Sequence, residues 1–115
     1  ASDVYKDRVG LAALVGDDLA VIDGFLREYD ESARQLADAM RAAYALHDLA
    51  RVGDLAHRLK SSSRAVGAAA LGDRCADVET AAKRADESDM RAALEAFTTE
   101  QDRVQQELAR IFHSV

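Results

Sequence analysis

The sequence predicts an all-α fold, an antiparallel up-down four-helix bundle with a short extra N-terminal helix. The 115 residues contain no proline, and alanine and leucine are abundant, so most of the chain lacks helix breakers. Apolar residues recur at alternating spacings of three and four, the period of a helix with one buried face. The polar segments between these stretches are short, and short connections place consecutive helices side by side and antiparallel.

The length and composition predict one domain over residues 1–115. A chain of 115 residues can close one modest hydrophobic core. Hydrophobic residues make up 49% and charged residues 31%, a balance typical of folded globular domains and too apolar for a disordered segment. No repeat, low-complexity tract or composition shift marks a boundary within the chain.

Two helices are predicted in the N-terminal part. A short apolar helix covers residues 9–14 and ends at Gly16. The longer helix that follows has a buried stripe formed by Ile22, Leu26, Tyr29, Ala33, Leu36, Met40 and Ala43. This stripe keeps its phase throughout, yet Ser32 followed by Gln35 has the pattern of a capping box. We therefore expect a joint or kink near Asp30.

Three more helices are predicted in the remainder of the chain. One begins after Asp48, a good N-cap residue, and ends near Gly67. Its stripe comprises Val52, Leu55, Leu59, Ser62 and Val66. The next stripe comprises Leu71, Cys75, Val78 and Ala82. A polar turn at residues 86–89 ends that helix. The last stripe comprises Leu94, Phe97, Gln101, Val104, Leu108, Ile111 and Val115.

Several classes of function are disfavoured by charge and motif content. The net charge is −6 with both signs mixed along the chain, which argues against a nucleic-acid partner. GxxxxGK[ST], GxGxxG, HExxH and GxSxG are all absent, and aromatic residues make up 5% without tryptophan. The sequence therefore predicts no cofactor, no metal site and no nucleotide site.

The apolar runs and the one cysteine bear on membrane insertion and on the redox compartment. No apolar run approaches the roughly 18 residues of a membrane span, and no secretory leader opens the sequence, so we expect no direct membrane insertion. Cys75 has no partner for an internal disulfide or a CxxC pair. We expect a buried, inert thiol in a reducing compartment.

His57 is the candidate functional residue. At about 100° per residue, it points about 180° away from the apolar stripe of its helix and should face solvent. Its neighbours on that face are small or cationic: Ala50, Gly53, Lys60, Ser61 and Arg64. A surface without bulky side chains suits a nucleophile that must enter another protein's active site. Geometry alone leaves an ordinary exposed polar residue as an equal alternative.

Gly53 and the nearby cations strengthen the functional interpretation. Glycine within a helix costs about 1 kcal/mol relative to alanine, so a steric reason for Gly53 is worth considering. Lys60 and Arg64 place positive charge beside the imidazole, where it can attract phosphoryl oxygens or an acidic pocket of a partner.

A long motif around His57 resembles a known family. Residues 56–68 read AHRLKSSSRAVGA, and Leu71, Cys75 and Glu79 follow. This run resembles the signature AHxLKGSSxxxGAxxL of histidine phosphotransfer (HPt) domains, with a cysteine and a glutamate at matching later positions. The segments that resemble the family's opening helices are residues 14–18, Phe25 and Leu26.

The resemblance implies a phosphorelay intermediate of two-component signal transduction. It implies that His57 becomes a phosphohistidine, exchanging the phosphoryl group with aspartates of receiver (response regulator) domains that supply Mg²⁺. Such a module is a carrier without autonomous kinase activity. It occurs at the C-terminus of hybrid sensor histidine kinases or as a free-standing shuttle, so the expected location is cytoplasmic, including the cytoplasmic part of a membrane-bound sensor kinase.

The resemblance implies a supporting Lys60, and the helix face around His57 adds further residues suited to support the partner or the phosphoryl group. Lys60 is expected to act electrostatically, and Gly53 and Ser61 sterically. Ser61 stands where the family usually has glycine. Arg58 and Arg64 complete the set of residues expected to support the partner or the phosphoryl group.

Two alternatives remain at this point. A helical-bundle interaction module could bind a signalling partner without being phosphorylated, although such a module would need neither His57 nor Lys60. A metal-binding bundle could use His47, His57 and His113 with carboxylates. The spacing of these histidines lacks an inward-facing ExxH pair, which disfavours the metal site.

Overall fold

Four helices make up the part of the chain that the structure, a computed structural model, describes, residues 19–113. They are α1 (Leu19–Ala45), α2 (Leu49–Ala65), α3 (Ala69–Arg84) and α4 (Glu87–His113). Each helix packs against the next one along the chain, whereas α1 and α4 contact each other only lightly. The predicted all-α four-helix bundle is confirmed. The short helix predicted over residues 9–14 lies outside the described residues.

The structure excludes a joint between two separate helices near Asp30, because α1 runs unbroken from Leu19 to Ala45. Tyr29 and Ala33 are both buried, so the packed face continues through the expected break. Asp30 also forms an i,i+4 ion pair with Arg34 at 3.2 Å, which stabilises a continuous helix. Packing along the whole face of α1 outweighs the weak capping signal of Ser32.

Short turns connect the helices. The polar turn predicted at residues 86–89 is wrong in extent, because residues 87–89 already form the first turn of α4. Asp48 caps α2, since its Oδ1 accepts a hydrogen bond from the Arg51 amide at 3.1 Å. Gly67 follows the end of α2 with a φ of 85°, which glycine adopts without steric cost. Ala85 ends α3 in the left-handed conformation, and Asp86 then accepts from the Asp89 amide in the first turn of α4.

The core lies along the bundle axis and follows the predicted stripes with small shifts. In α2 the buried serine is Ser63, which is fully buried, and the predicted Ser62 is only partly buried. Likewise α1 buries Ala37 more deeply than Leu36, and α3 buries Ala81 more deeply than Ala82. These are shifts of one residue, because adjacent positions at the edge of a helical stripe differ by only about 100°.

Buried polar and sulfur groups also lie within this core. The Tyr29 hydroxyl and Ser63 Oγ share a hydrogen bond of 2.7 Å that joins α1 to α2. Gln101 donates through Nε2 to the Ala33 carbonyl at 3.4 Å, joining α4 to α1. Cys75 is fully buried, and burial raises the pKa of its thiol to about 12. The predicted burial of the cysteine is confirmed.

None of the four described helices combines the length and the apolar character needed to cross a membrane.

Candidate functional site

His57 lies on the outer surface of α2, beside the groove between α2 and α3. Its side chain is 61% exposed, in agreement with the predicted outward orientation. The flanking residues Ala56 and Leu59 are buried in the core, so the backbone beneath His57 is fixed by packing. The imidazole is therefore an accessible group on a rigid support.

Glu79 of α3 reaches across the groove to His57. Its Oε2 lies 3.1 Å from His57 Nδ1, and its Oε1 lies 2.5 Å from Lys60 Nζ. Glu79 is 14% exposed and Lys60 is 21% exposed, so both are far less accessible than the imidazole. We call these three residues the His57–Glu79–Lys60 cluster.

Electrostatics keep Glu79 ionised within this cluster. Burial opposes the charged form and would raise the pKa of its carboxyl group, but the hydrogen bonds and positive charge of Lys60 and His57 outweigh that effect. The net result is a Glu79 pKa below its usual value. The Lys60 ammonium forms its ion pair with Oε1 of Glu79, the carboxylate oxygen that is buried.

The contact with Glu79 distinguishes the two ring nitrogens of His57. A carboxylate only accepts hydrogen bonds, so Nδ1 must carry a proton when it contacts Glu79 Oε2. In the neutral ring the lone pair then resides on Nε2, for which the described residues provide no hydrogen-bond partner. His57 thus presents a nucleophilic nitrogen at the surface.

The groove in front of the imidazole has a volume of about 600 Å³. Its walls come from α2 and α3 alone and comprise Ala50, Gly53, Asp54, His57, Arg58, Glu79, Ala82 and Lys83. We call it the α2–α3 groove. Arg58 and Lys83 place positive charge at its rim, and neither has an ion-pair partner among residues 19–113.

The structure brings some of the predicted supporting residues toward His57 and directs others elsewhere. Lys60 belongs to the cluster, and Arg58 lines the groove. Ser61 donates its hydroxyl back to the His57 carbonyl at 3.2 Å, not to the imidazole. Arg64 extends toward α3, where its Nη2 lies 3.5 Å from Asp73 Oδ1.

Gly53 serves helix packing as well as leaving space beside His57. A Cβ atom added at Gly53 would lie 3.0 Å from the Cβ of Ala82, closer than side chains normally approach. The expectation of a freely exposed helix surface at Gly53 is therefore wrong. The glycine allows α2 and α3 to approach each other at the floor of the groove.

Sequence reasoning missed the roles of Glu79, Lys83 and Ala82 in this site. Glu79 was part of the matched motif but was assigned no role, because a contact between helices is not visible in the pattern of either helix. Lys83 follows Glu79 by one helical turn and so shares its face, which is the signal that could have placed it at the groove.

The other two histidines lie apart from this cluster. His47 stands in the turn after α1 with a φ of 57°, and its Nδ1 lies 3.1 Å from Glu87 Oε1. His113 is the last residue of α4. Within the part of the chain that the structure describes, no three histidine, cysteine or acidic side chains come close enough together to hold a metal ion.

Comparison with known families gives one match that covers most of the chain. Residues 24–114 match the family model described as the Hpt domain. The matched range includes all of α2, α3 and the His57–Glu79–Lys60 cluster. Neither the curated proteins nor the solved structures include a significant match.

Proposed function

The chain belongs to the Hpt domain family, which serves phosphorelays of two-component signalling, and from that premise we propose that His57 carries the phosphoryl group. The donor and the acceptor are aspartates of receiver domains, the partners with which this family interacts. The chain is a carrier without kinase activity of its own. It acts in the cytoplasm, as a free shuttle or as a module of a hybrid sensor histidine kinase, and residues 1–115 form one domain.

One observation carries the assignment to His57. Its ring is exposed at the groove, and the carboxylate of Glu79 occupies Nδ1, which leaves the Nε2 lone pair available for attack. Nε2 forms a bond to phosphorus while the bond from phosphorus to the aspartate oxygen breaks, and the electron pair leaves with the aspartate carboxylate. The proton on Nδ1 stays in place during this step.

The surroundings of His57 support docking more than acid–base chemistry. Phosphoryl transfer depends chiefly on positioning and charge neutralisation, and the receiver supplies Mg²⁺. Arg58 and Lys83 at the groove rim are suited to an acidic receiver pocket. Ser61 is held along the helix by its bond to the His57 carbonyl, so it leaves the approach to the imidazole open.

Labelling with a phosphorylated receiver tests this proposal. In the presence of Mg²⁺, the wild-type protein should gain a phosphoryl group that is labile in acid and stable in base, as expected for phosphohistidine. His57→Gln should gain none. His47→Gln is the matched control, because His47 also contacts a glutamate at 3.1 Å, and it should be labelled like the wild type.

Two results would contradict the proposal. Equal labelling of His57→Gln would exclude this histidine as the acceptor. Tight receiver binding without any labelling of the wild type would instead identify the chain as an interaction module of the same fold. Nitrogen-15 spectra of the labelled histidine should assign the phosphoryl group to Nε2.

A further inference from the structure

A phosphoryl group on His57 would add about two negative charges and three acceptor oxygens to the surface of α2. Lys60 is a nearby cation, but its ammonium group lies 2.5 Å from Glu79 Oε1 and its side chain is only 21% exposed. It is therefore already paired within the bundle. Another cation with an accessible and weakly bound side chain is needed to neutralise the new charge.

Arg64 lies on the same face of α2 as His57, two turns further along the helix. A separation of seven residues places two side chains within about 20° of each other around the helix axis and about 10.5 Å apart along it. Helical side chains lean toward the N-terminus of their helix, which for Arg64 is the direction of His57. Ser61 lies between them, and its small side chain donates to the His57 carbonyl, so it leaves this path open.

Two residues of α3 hold Arg64 to one side of this path. Its Nη2 lies 3.5 Å from Asp73 Oδ1. Its aliphatic part lies across Gly72, where an added Cβ would be 2.8 Å from Arg64 Cγ and 3.1 Å from Arg64 Nε. Gly72 is buried. A residue with a Cβ atom at this position would displace the arginine, so the glycine is required for its placement on α3.

The contact between Arg64 and Asp73 is weak enough to be exchanged. The two side chains are 51% and 62% exposed, and ion pairs exposed to solvent contribute little free energy. A phosphoryl group is a stronger partner for a guanidinium group, because it carries more charge and its oxygens accept two parallel hydrogen bonds.

Resting on the proposed phosphorylation of His57, we propose that Arg64 binds the phosphoryl group of the phosphohistidine, and that Asp73 and Gly72 hold Arg64 on α3 while His57 is unphosphorylated. The guanidinium group exchanges one anionic partner for another, and no covalent bond changes. In its new position it offsets negative charge that would repel the acidic pocket of the next receiver.

Other charged groups also face the phosphoryl group from the two helices of the α2–α3 groove. They are Asp54, Arg58 and Lys60 of α2 and Glu79 and Lys83 of α3. None of them is altered in the variants that test the proposal, so they contribute equally to all. The approach of Arg64 favours the fully ionised phosphoryl group and lowers the pH at which that group loses its last proton.

Phosphorus-31 NMR of the full chain measures this ionisation. The protein is phosphorylated with phosphoramidate, and the signal that is absent from His57→Gln is followed as the pH rises. In Arg64→Gln the midpoint should rise by about half a pH unit or more. In Gly72→Ala, which changes no charge, the added methyl group displaces Arg64 from α3 and the midpoint should fall. Alanine also favours a helix more than glycine does, so this variant should fold. Asp73→Asn should lower the midpoint as well.

A second set of variants separates the action of Arg64 from general effects. Gly72→Ala and Asp73→Asn should leave the midpoint unchanged when Arg64→Gln is also present, because both act through the arginine. Arg110→Gln is the matched control. Arg110 is an exposed arginine that lies 3.2 Å from Glu107 on α4, a helix that does not line the α2–α3 groove, and its removal should leave the midpoint unchanged.

An unchanged midpoint in Arg64→Gln or in Gly72→Ala would overturn the inference. Equal shifts caused by Gly72→Ala with and without Arg64 would also overturn it. Failure of a phosphorylated receiver to label His57 would instead contradict the proposed function, because phosphoramidate supplies the phosphoryl group without a receiver and the midpoints still decide the role of Arg64.

Discussion

Glu79 links the chemistry of single residues to the acid stability of the fold. Its pKa is lowered from the usual 4.5, so the folded state holds this proton less tightly than the unfolded state. The resulting stabilisation is fully present above the unfolded pKa and is lost as the pH falls through the folded pKa. Between about pH 7 and about pH 3, the wild type should therefore lose more free energy of unfolding than Glu79→Gln.

Urea unfolding at several pH values measures this difference. Glu87→Gln reports the general effect of removing a carboxylate from a histidine contact. If the difference in free energy of unfolding between the wild type and Glu79→Gln stays constant on acidification, the ionisation of Glu79 contributes nothing to stability.

Gly53 gives a second prediction at the residue scale. In an open helix, Gly53→Ala should raise stability by about 1 kcal/mol. The added Cβ would lie 3.0 Å from the Ala82 Cβ, a methyl group that moves only with α3, so we expect the gain to be cancelled or reversed. Thermal unfolding of Gly53→Ala, Ala82→Gly and the double variant measures the coupling. The double variant should be more stable than the sum of the single changes predicts, and strict additivity would exclude the steric contact.

The candidate site was only partly predictable at this scale. Exposure of His57 follows from its angle to the apolar stripe of a single helix, which spacing alone defines. The partner of its Nδ1 depends on the register of α3 against α2, and no pattern within one helix specifies that register. Lys60 shows the same limit: it was placed on the exposed side, but it leans toward α3 and is only 21% exposed.

The continuity of α1 leads to a prediction at the scale of the helix. Ser32 is exposed near the middle of α1, where it is an ordinary helical residue and not a cap. Ser32→Ala should therefore raise the free energy of unfolding by a few tenths of a kcal/mol, because alanine has the higher helix propensity. A loss of about 1 kcal/mol would indicate a capping role instead. Asp48→Ala, at the true cap of α2, should show that loss and serves as the comparison.

Helix existence and boundaries were largely predictable from local signals. Asp48 and Gly67 mark the limits of α2 because capping and positive φ are properties of single residues. The helix does not break at Asp30, because packing along the whole face of α1 outweighs the local capping pattern. That packing energy cannot be read from the sequence. Ser63 lies in the core where the stripe predicted Ser62, and its hydroxyl shares a hydrogen bond with Tyr29 of α1. A contact between helices of this kind is not visible in the pattern of one helix.

One shared core predicts cooperative unfolding of the whole molecule. Far-ultraviolet circular dichroism follows all four helices, and in a chain without tryptophan the fluorescence follows its three tyrosines, among them the buried Tyr29. The two urea curves should coincide. Ser63→Ala leaves the Tyr29 hydroxyl without its partner, so it should lower the free energy of unfolding by about 1–3 kcal/mol. Both curves should shift together to lower urea concentration. Two separate transitions would contradict a single domain.

The burial of Cys75 provides an intrinsic kinetic reporter on the whole molecule. A fully buried thiol with a pKa of about 12 reacts with an alkylating reagent only when the bundle opens, so the labelling rate measures the population of open molecules. Cys75 lies one turn before Glu79 on α3 and is fully buried. If Glu79→Gln has an unchanged alkylation rate, its packing is intact, and the change in the pH dependence of its free energy of unfolding is then purely electrostatic in origin. The thiol therefore separates loosening of the bundle from changes in charge, without any added label.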